Sequence, residues 1–151
     1  MEPQLVELLG RNRLTDELLR AGLEVARPLR DRGIDLIAYA DLESKVSTFR
    51  ARPIQMKAAS SSSFGLNQKY AKFPNLLIAF VWHLDEPAKE VTYALTYREA
   101  VAVADAMGYT QTPSWRTGSY DTTRPGKKLQ QLLEPYQMIG ERWWKRVVEG
   151  E

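Results

Sequence analysis

The chain contains no cysteine, which excludes disulfide frameworks, thiolate zinc sites, iron–sulfur clusters and cysteine nucleophiles. It contains a single histidine, His83, so histidine-rich metal sites are excluded as well. No apolar run approaches the roughly 18 residues that span a bilayer, and the N-terminus has no signal-peptide core. We therefore expect a soluble, cytoplasmic protein without membrane partners.

An excess of charge is also missing: 21 Lys and Arg residues stand against 19 Asp and Glu residues, which gives a net charge of +2. Nucleic-acid binding by such a chain requires a local basic patch, because its overall charge is too small. The length of 151 residues and a hydrophobic content of 44% are sufficient for one buried core. A single domain over residues 1–151 is predicted.

Hydrophobic periodicity and turn residues predict an α/β (α+β) fold with a mixed central sheet. The predicted order is αβββαβ, followed by a strand and a helical C-terminal extension. The predicted elements are a helix over 3–21, strands over 23–29, 34–40 and 48–59, a short helix over 66–72, strands over 75–84 and 91–97, and helices over 98–108, 128–135 and 136–150. The turn-rich segment 109–128 is predicted to be a loop.

The first helix carries two groups of leucines on nearly opposite sides, so we expect it to be covered from two directions. The larger group consists of Leu5, Leu8, Leu9, Leu19 and Leu23, and the smaller one of Leu14 and Leu18. Gly10 interrupts the leucine pattern and weakens the helix by about 1 kcal/mol relative to alanine, which allows a kink at this point.

Three polar residues on two neighbouring predicted strands suggest a catalytic metal site. Asp35 lies in the strand IDLIAY, and Gln55 and Lys57 lie on its hairpin partner, separated by Met56. Pairing of these strands can bring the three side chains together. Mg²⁺ prefers oxygen ligands, so Asp35, the Gln55 amide oxygen and the Met56 carbonyl are candidate metal ligands. Lys57 could then hold or deprotonate a water molecule that attacks a phosphodiester.

These residues resemble the PD-(D/E)xK nuclease superfamily, which includes restriction enzymes, junction resolvases and some homing endonucleases. The resemblance covers roughly residues 3–84. It consists of a glycine-terminated helix (LLRAGLEV), the segment Gly33-Ile34-Asp35-Leu36-Ile37 and the segment Ile54-Gln55-Met56-Lys57. The family's metal-binding Asp corresponds to Asp35 and its motif Lys to Lys57, while Gln55 stands where the family has Glu or Asp.

The resemblance implies a restriction-endonuclease-like αβββαβ core and a DNA endonuclease dependent on Mg²⁺ or Mn²⁺. Cutting both strands of a duplex would need a homodimer or larger homo-oligomer. Many family members also carry a glutamate on the first helix, at a position that is Arg11 here. Glu7, one turn earlier, is predicted to take its place in the catalytic set, with Asp16 and Glu17 as alternatives.

Five basic residues are candidate contacts to DNA. Lys69 and Lys72 lie in a segment that, in the family, is near the scissile strand. Arg116, Lys127 and Lys128 belong to the segment 110–128, where Trp115 and Tyr120 are interleaved with basic side chains. These two aromatic residues could stack on bases or could instead fix the segment to the core.

Two alternative functions remain open. The chain could be a catalytically inactive nuclease-fold module that binds DNA or another protein. It could also be an accessory domain that binds partners through the helix containing Trp143 and Trp144, with Asp35 and Lys57 as a structural ion pair. The nuclease-like functions predict that Asp35, Gln55 and Lys57 lie together in an open groove with a basic rim. The accessory-domain hypothesis predicts that they are dispersed or buried.

Overall fold

Helix α1 (Pro3–Arg20) opens the chain and packs against a mixed β-sheet. The computed structural model describes residues 1–151. Pro3 suits the first helical turn, where a backbone N–H has no partner within the helix. The chain leaves the helix at Gly22, whose φ of +91° is a left-handed conformation that other residues rarely adopt. The predicted helix over 3–21 is thus confirmed almost to the residue.

Seven strands form two separate sheets. They are β1 (Glu24–Ala26), β2 (Leu36–Tyr39), β3 (Ala51–Ala58), β4 (Phe64–Asn67), β5 (Leu77–Trp82), β6 (Val91–Thr96) and β7 (Ser119–Thr122). The main sheet has the order β1-β2-β3-β5-β6, in which only β3 and β5 are parallel. The remaining strands, β4 and β7, pair with each other. The predicted α+β class with a mixed central sheet is confirmed.

The other helices follow the main sheet. They are α2 (Tyr97–Ala106), α3 (Pro113–Arg116), α4 (Gly126–Leu133) and α5 (Arg142–Val147), with short 3-10 turns over Gln68–Lys72, Pro87–Lys89, Tyr109–Gln111 and Glu134–Tyr136. Thr96 and Glu99 form a reciprocal capping box at the start of α2. No helix combines the length and the apolar character needed to cross a bilayer.

Strand β5 forms the centre of the molecule, because all six of its residues are buried. On one face of the sheet Ile78 and Phe80 join a cluster that includes residues of α2 and α4. On the other face Leu77 and Ala79 join a cluster that includes residues of α1 and α5. Burial on both faces explains why this segment is a continuous apolar run rather than an alternating one.

The prediction that α1 is covered from two directions was wrong. Leu14 and Leu18 are fully buried, whereas Leu5, Leu8 and Leu19 of the larger group are exposed. The reason is Gly10, which is buried and lies so close to β3 that a β-carbon there would be 2.7 Å from the Ala58 Cβ. The helix approaches the sheet along its glycine. It continues through Gly10 as one helix of 18 residues.

The loop predicted over 109–128 was also wrong. This segment contains α3 and β7, and β7 pairs antiparallel with β4. Tyr120 stacks on Tyr109 with ring centroids 4.1 Å apart, and Trp115 packs against the buried cluster on the α2 side of the sheet. Both aromatic residues therefore fix the segment to the core. The predicted helix over 66–72 is likewise partly strand, with a 3-10 turn after β4.

Candidate metal centre and active-site cleft

Asp35 is held in place by two backbone hydrogen bonds at the start of β2. Its Oδ2 atom accepts a hydrogen bond of 2.7 Å from the N–H of Met56. Its own N–H donates to the carbonyl oxygen of Ile54 over 2.9 Å. Both partners belong to β3, so the pairing of these strands fixes the carboxylate beside Gln55 and Met56. Asp35 Oδ1 accepts no hydrogen bond from the protein and is available to a ligand.

Three carboxylates converge at this point. Glu7 of α1, Asp31 of the turn before β2 and Asp35 each offer an oxygen atom, and these atoms lie within 4.8 Å of one another. Gly33, with a φ of +99°, turns the chain between the two aspartates. Such a set of hard oxygen donors is the kind that Mg²⁺ and Mn²⁺ prefer.

Of the three acids considered on the first helix, only Glu7 lies beside Asp35. Asp16 forms an exposed ion pair with Arg20. Glu17 binds Arg13 and accepts hydrogen bonds from Thr92 and Trp143. Glu17 therefore ties α1 to β6 and to α5 and has a structural role.

The acidic cluster is electrostatically strained. Burial raises the pKa of Asp35, and the neighbouring carboxylates of Asp31 and Glu7 raise it further. The Met56 N–H and the guanidinium of Arg11 lower this pKa, but the net shift is upward. Arg11 donates a hydrogen bond of 2.7 Å to Glu7 from the next helical turn. Arg11 is the one protein cation that forms an ion pair with the cluster, and a bound cation would stabilise the cluster further.

Lys57 lies in the same cleft as Asp35 and Glu7, a cavity of about 920 Å³. Burial lowers the pKa of Lys57, and so does the charge of Lys69, while Asp121 and Asp35 oppose this shift. The six ion pairs of the structure do not include Lys57 with Asp35. The interpretation of these two residues as a structural ion pair is therefore wrong.

The opposite wall of the cleft comes from the small β4–β7 sheet and the serine run Ser60–Ser63. Asp121 of β7 is the register partner of Gly65 in β4. The Asp121 carboxylate occupies the space where a β-carbon on residue 65 would lie. Its charge favours the ammonium form of Lys57. Asp121 is the third carboxylate that lines the cleft, after Glu7 and Asp35, and it lies on the side facing the lysine.

Sequence reasoning did not find Asp31, Asp121 or the role of Arg11. Asp31 had a local signal, since an acid four residues before Asp35 with a glycine between them can fold back beside it. Asp121 had no local signal, because its position depends on the pairing of two strands that are distant in the chain. The pairing of Arg11 with Glu7 was predictable, because the two residues are one helical turn apart.

Gln55 occupies the motif position on β3 but does not line the cleft. Its side chain is half-buried and lies close to Tyr70. Burial raises the pKa of Tyr70, and the nearby Gln55 side chain only partly opposes this rise. The Oε1 atom of Gln55 is buried and has no hydrogen-bond partner. An unpaired buried acceptor costs about 1–3 kcal/mol, so this oxygen is suited to a cation or a donor that enters the site.

Of the five basic residues predicted to contact DNA, two lie next to the acidic cluster. Lys69 and Lys72 line a smaller pocket formed partly by the turn that precedes Asp35. Arg116, Lys127 and Lys128 are exposed and line neither this pocket nor the cleft. The side chain of Lys128 donates to the carbonyl oxygen of Ala106. Two of the five thus line a pocket that adjoins the turn before Asp35, and none of the five lines the cleft.

The helix with adjacent tryptophans belongs to the core. Trp143 is 2% exposed, and its indole N–H donates a hydrogen bond of 3.0 Å to Glu17. Trp144 is half-buried and packs against the buried cluster on the α1 side of the sheet. Neither indole is exposed as the accessory-domain hypothesis requires.

Comparisons with protein-family models, curated proteins and solved structures find no match to this chain. Its function must therefore be argued from the site itself. The site consists of three clustered carboxylates, a buried amide oxygen without a partner, and a lysine in the adjoining cleft.

Proposed function

We propose that this protein is a metal-dependent DNA endonuclease of the PD-(D/E)xK type, which hydrolyses phosphodiester bonds. The observation that carries the proposal is the convergence of Glu7, Asp31 and Asp35 within 4.8 Å beside a cleft that contains Lys57. Burial and the two neighbouring carboxylates raise the pKa of Asp35, and a bound cation would offset this repulsion. A half-buried lysine on the adjacent strand is the additional group that water activation requires.

The residues present fit Mg²⁺ or Mn²⁺. Glu7, Asp31 and Asp35 would provide anionic oxygen ligands, and the site contains no sulfur or imidazole ligand that would favour a softer metal. The unpaired Oε1 of Gln55 and the Met56 carbonyl are the neutral ligands that the motif predicts. Asp31 is an addition to the motif, and it offsets the missing charge of Gln55.

Each residue then has a distinct role. A bound Mg²⁺ would polarise the scissile phosphate and lower the pKa of water. Asp35, fixed by the Met56 N–H, would keep the ligand set in place. Lys57 would hold the attacking water or accept its proton, which its lowered pKa favours, and its charged form would offset negative charge in the transition state.

The test is nicking of supercoiled plasmid with Mg²⁺ or Mn²⁺ and with EDTA. We expect metal-dependent nicking that falls by about 100-fold or more in Lys57→Ala. Lys45→Ala, a change at an exposed lysine outside the cleft, is the matched control and keeps full activity. Linear product formed without free nicked circles would indicate that two copies act together.

Calorimetric titration with Mn²⁺ provides a readout that does not depend on activity. We expect Asp35→Asn to weaken Mn²⁺ binding by at least tenfold, since it removes a charged ligand. Lys57→Ala is expected to bind Mn²⁺ at least as well as the parent protein, because the lysine is a cation near the site. Failure of the parent protein to bind Mn²⁺ would rule out the metal-dependent reaction.

One observation favours the inactive DNA-binding module as a second candidate. Arg11 is bonded to Glu7 at 2.7 Å and already provides a cation to the acidic cluster. If that guanidinium has replaced the metal, the protein binds DNA with a steep salt dependence but binds no Mn²⁺. The Mn²⁺ titration therefore separates the two candidates.

A further inference from the structure

A second pocket of about 260 Å³ is lined in part by residues 32–34, which lie between Asp31 and Asp35 of the acidic cluster. It is lined by three cations, Arg32, Lys69 and Lys72, by the apolar or aromatic residues Ile34, Pro53, Tyr70, Phe73 and Leu76, and by Gly33. No acidic residue lines it. The pocket is slightly smaller than the roughly 300 Å³ at which sites for drug-sized ligands begin, so it suits one small flat group.

This pocket adjoins the segment of chain that carries two residues of the acidic cluster. Arg32 and Gly33 lie in the chain between Asp31 and Asp35. Tyr70, which is buried in the wall, lies close to Gln55 of β3. A ligand of the pocket would therefore lie against the segment that carries two of the three carboxylates, Asp31 and Asp35.

The lining suits a ligand with both an aromatic part and a negative charge. Phe73 is 49% exposed and presents an aromatic ring that nothing in the protein covers completely. The Lys72 Nζ lies 5.6 Å from the centre of that ring, and the Lys69 Nζ lies 5.3 Å from the centre of the Tyr70 ring. A simple anion would leave the apolar wall unused, and an apolar ligand would bury three charges without partners.

We propose that the pocket binds one unstacked nucleotide next to the scissile phosphate, with its base against Phe73 and its phosphate on Lys69, Lys72 and Arg32. This inference rests on the proposed nuclease function and specifies its substrate as single-stranded or locally unpaired DNA. A base inside a duplex is paired and stacked on both faces, so it must leave the helix before it can enter such a pocket. Exposed aromatic rings flanked by cations are typical of single-strand recognition.

The test uses a 16-nucleotide single strand containing 2-aminopurine and a hairpin duplex of the same sequence, both in EDTA so that binding is measured without cleavage. We expect the single strand to bind at least tenfold more tightly than the duplex. We also expect Phe73→Ala to weaken this binding about tenfold and to abolish the change in 2-aminopurine fluorescence. Phe49→Ala, at an exposed phenylalanine outside the pocket, is the matched control with no effect.

The cationic part of the pocket has its own test. Because each phosphate contact releases counterions, Lys72→Ala should reduce the slope of log affinity against log salt concentration by about 1. Lys45→Ala should leave the slope unchanged. Equal affinity for single strand and duplex, or normal single-strand binding by Phe73→Ala, would overturn the inference.

Further measurements distinguish failure of the pocket proposal from failure of the nuclease function. Saturable binding of deoxyadenosine monophosphate at micromolar concentration, without binding of the single strand, would show that the pocket takes a free nucleotide, and the strand proposal would be wrong. Single-strand binding that depends on Phe73 in a protein that never cleaves would support the pocket and overturn the nuclease function. Metal-dependent cleavage without any preference for unpaired DNA would overturn the pocket proposal alone.

Discussion

Asp121 of β7 lies directly across from Gly65 of β4, and its carboxylate occupies the space that a β-carbon on residue 65 would need. Gly65 is therefore required for the position of Asp121, which faces Lys57 across the cleft. We expect Gly65→Ala to turn the exposed Asp121 side chain away at a stability cost of about 1 kcal/mol or less. Nicking should fall about tenfold, because the lysine loses its orienting charge.

A double-mutant cycle checks this mechanism. If the alanine acts by displacing Asp121, then Gly65→Ala should add nothing to the nicking defect of Asp121→Ala. Plasmid nicking and thermal unfolding are measured for both single variants and for the double variant. Full additivity of the two defects, or a normal nicking rate in Gly65→Ala, would show that the pairing does not affect the cleft.

The packing of α1 on β3 predicts an unusual effect at Gly10. Helix propensity favours alanine at this position by about 1 kcal/mol. A β-carbon there would, however, lie 2.7 Å from the Ala58 Cβ and 3.1 Å from the Met56 Sδ. Overpacking of this kind costs about 1–3 kcal/mol, so after the gain in helix propensity we expect Gly10→Ala to be less stable in urea by up to about 2 kcal/mol. Mn²⁺ binding should also weaken, because Glu7 moves with the helix.

Two variants test the cause of that change. Ala58→Gly combined with Gly10→Ala should recover part of the lost stability and of the Mn²⁺ affinity, since it removes the closest contact. Asn12→Ala, at an exposed position of the same helix, should be neutral or slightly stabilising. A stabilising effect of Gly10→Ala would mean that α1 does not approach β3 as closely as the structure has it.

A buried ion pair joins the C-terminal helix to α2. Arg146, whose side chain is 2% exposed, donates hydrogen bonds to Glu99 over 2.7 Å and to the carbonyl oxygen of Ala94 over 3.0 Å. We expect Glu99→Gln to lower the free energy of unfolding at pH 7 by about 2 kcal/mol. This loss of stability is smaller than for a fully buried ion pair, because the Glu99 side chain is 29% exposed.

The loss should depend on pH. Burial raises the pKa of Glu99, but hydrogen bonds from Arg146 and Thr96 lower it more, so that it lies below the usual 4.5. A carboxyl whose pKa is lower in the folded state stabilises the protein above its unfolded pKa and loses that effect as the pH falls. The difference between parent and Glu99→Gln should thus be full at pH 7 and narrow below about 4.5. Glu141→Gln, an exposed control, should show a difference near zero at every pH.

Elements with a strong local signal were predictable from the sequence. The first helix has a proline at its start and Gly22 at its end, and the run around β5 is long and apolar enough to be a central strand. Asp35 and Lys57 were predicted as site residues from their spacing, and both line the same cleft in the structure. These features depend on residues that are close in sequence or on one hairpin.

The features that were predicted wrongly or missed share a physical cause, because each depends on contacts between segments that are distant in the chain. The leucines alone could not show which face of α1 is buried, because that choice depends on how Gly10 meets Ala58. The residues of β7 are partly exposed and their sequence is typical of a turn, so this strand forms only because it pairs with β4. Asp121 could not be placed in the site before that pairing was known.

Arg11 provides a test of whether the acidic cluster is built for a metal ion. The Arg11 side chain is 18% exposed, and its guanidinium is bonded to Glu7 and lowers the pKa of Asp35. Without metal, Arg11→Gln should lower the melting temperature, since three carboxylates lose their protein cation. A single charge at this range contributes about 1 kcal/mol, so we expect Mn²⁺ to bind about fivefold more tightly to this variant. The melting temperature of Arg11→Gln should accordingly rise more on addition of Mn²⁺ than that of the parent protein.

Arg20→Gln is the matched control. It removes a similar ion pair with Asp16, but on an exposed surface away from the cluster, and should leave the Mn²⁺ response unchanged. Equal responses of the two variants would mean that Arg11 does not compete with a metal ion at this site.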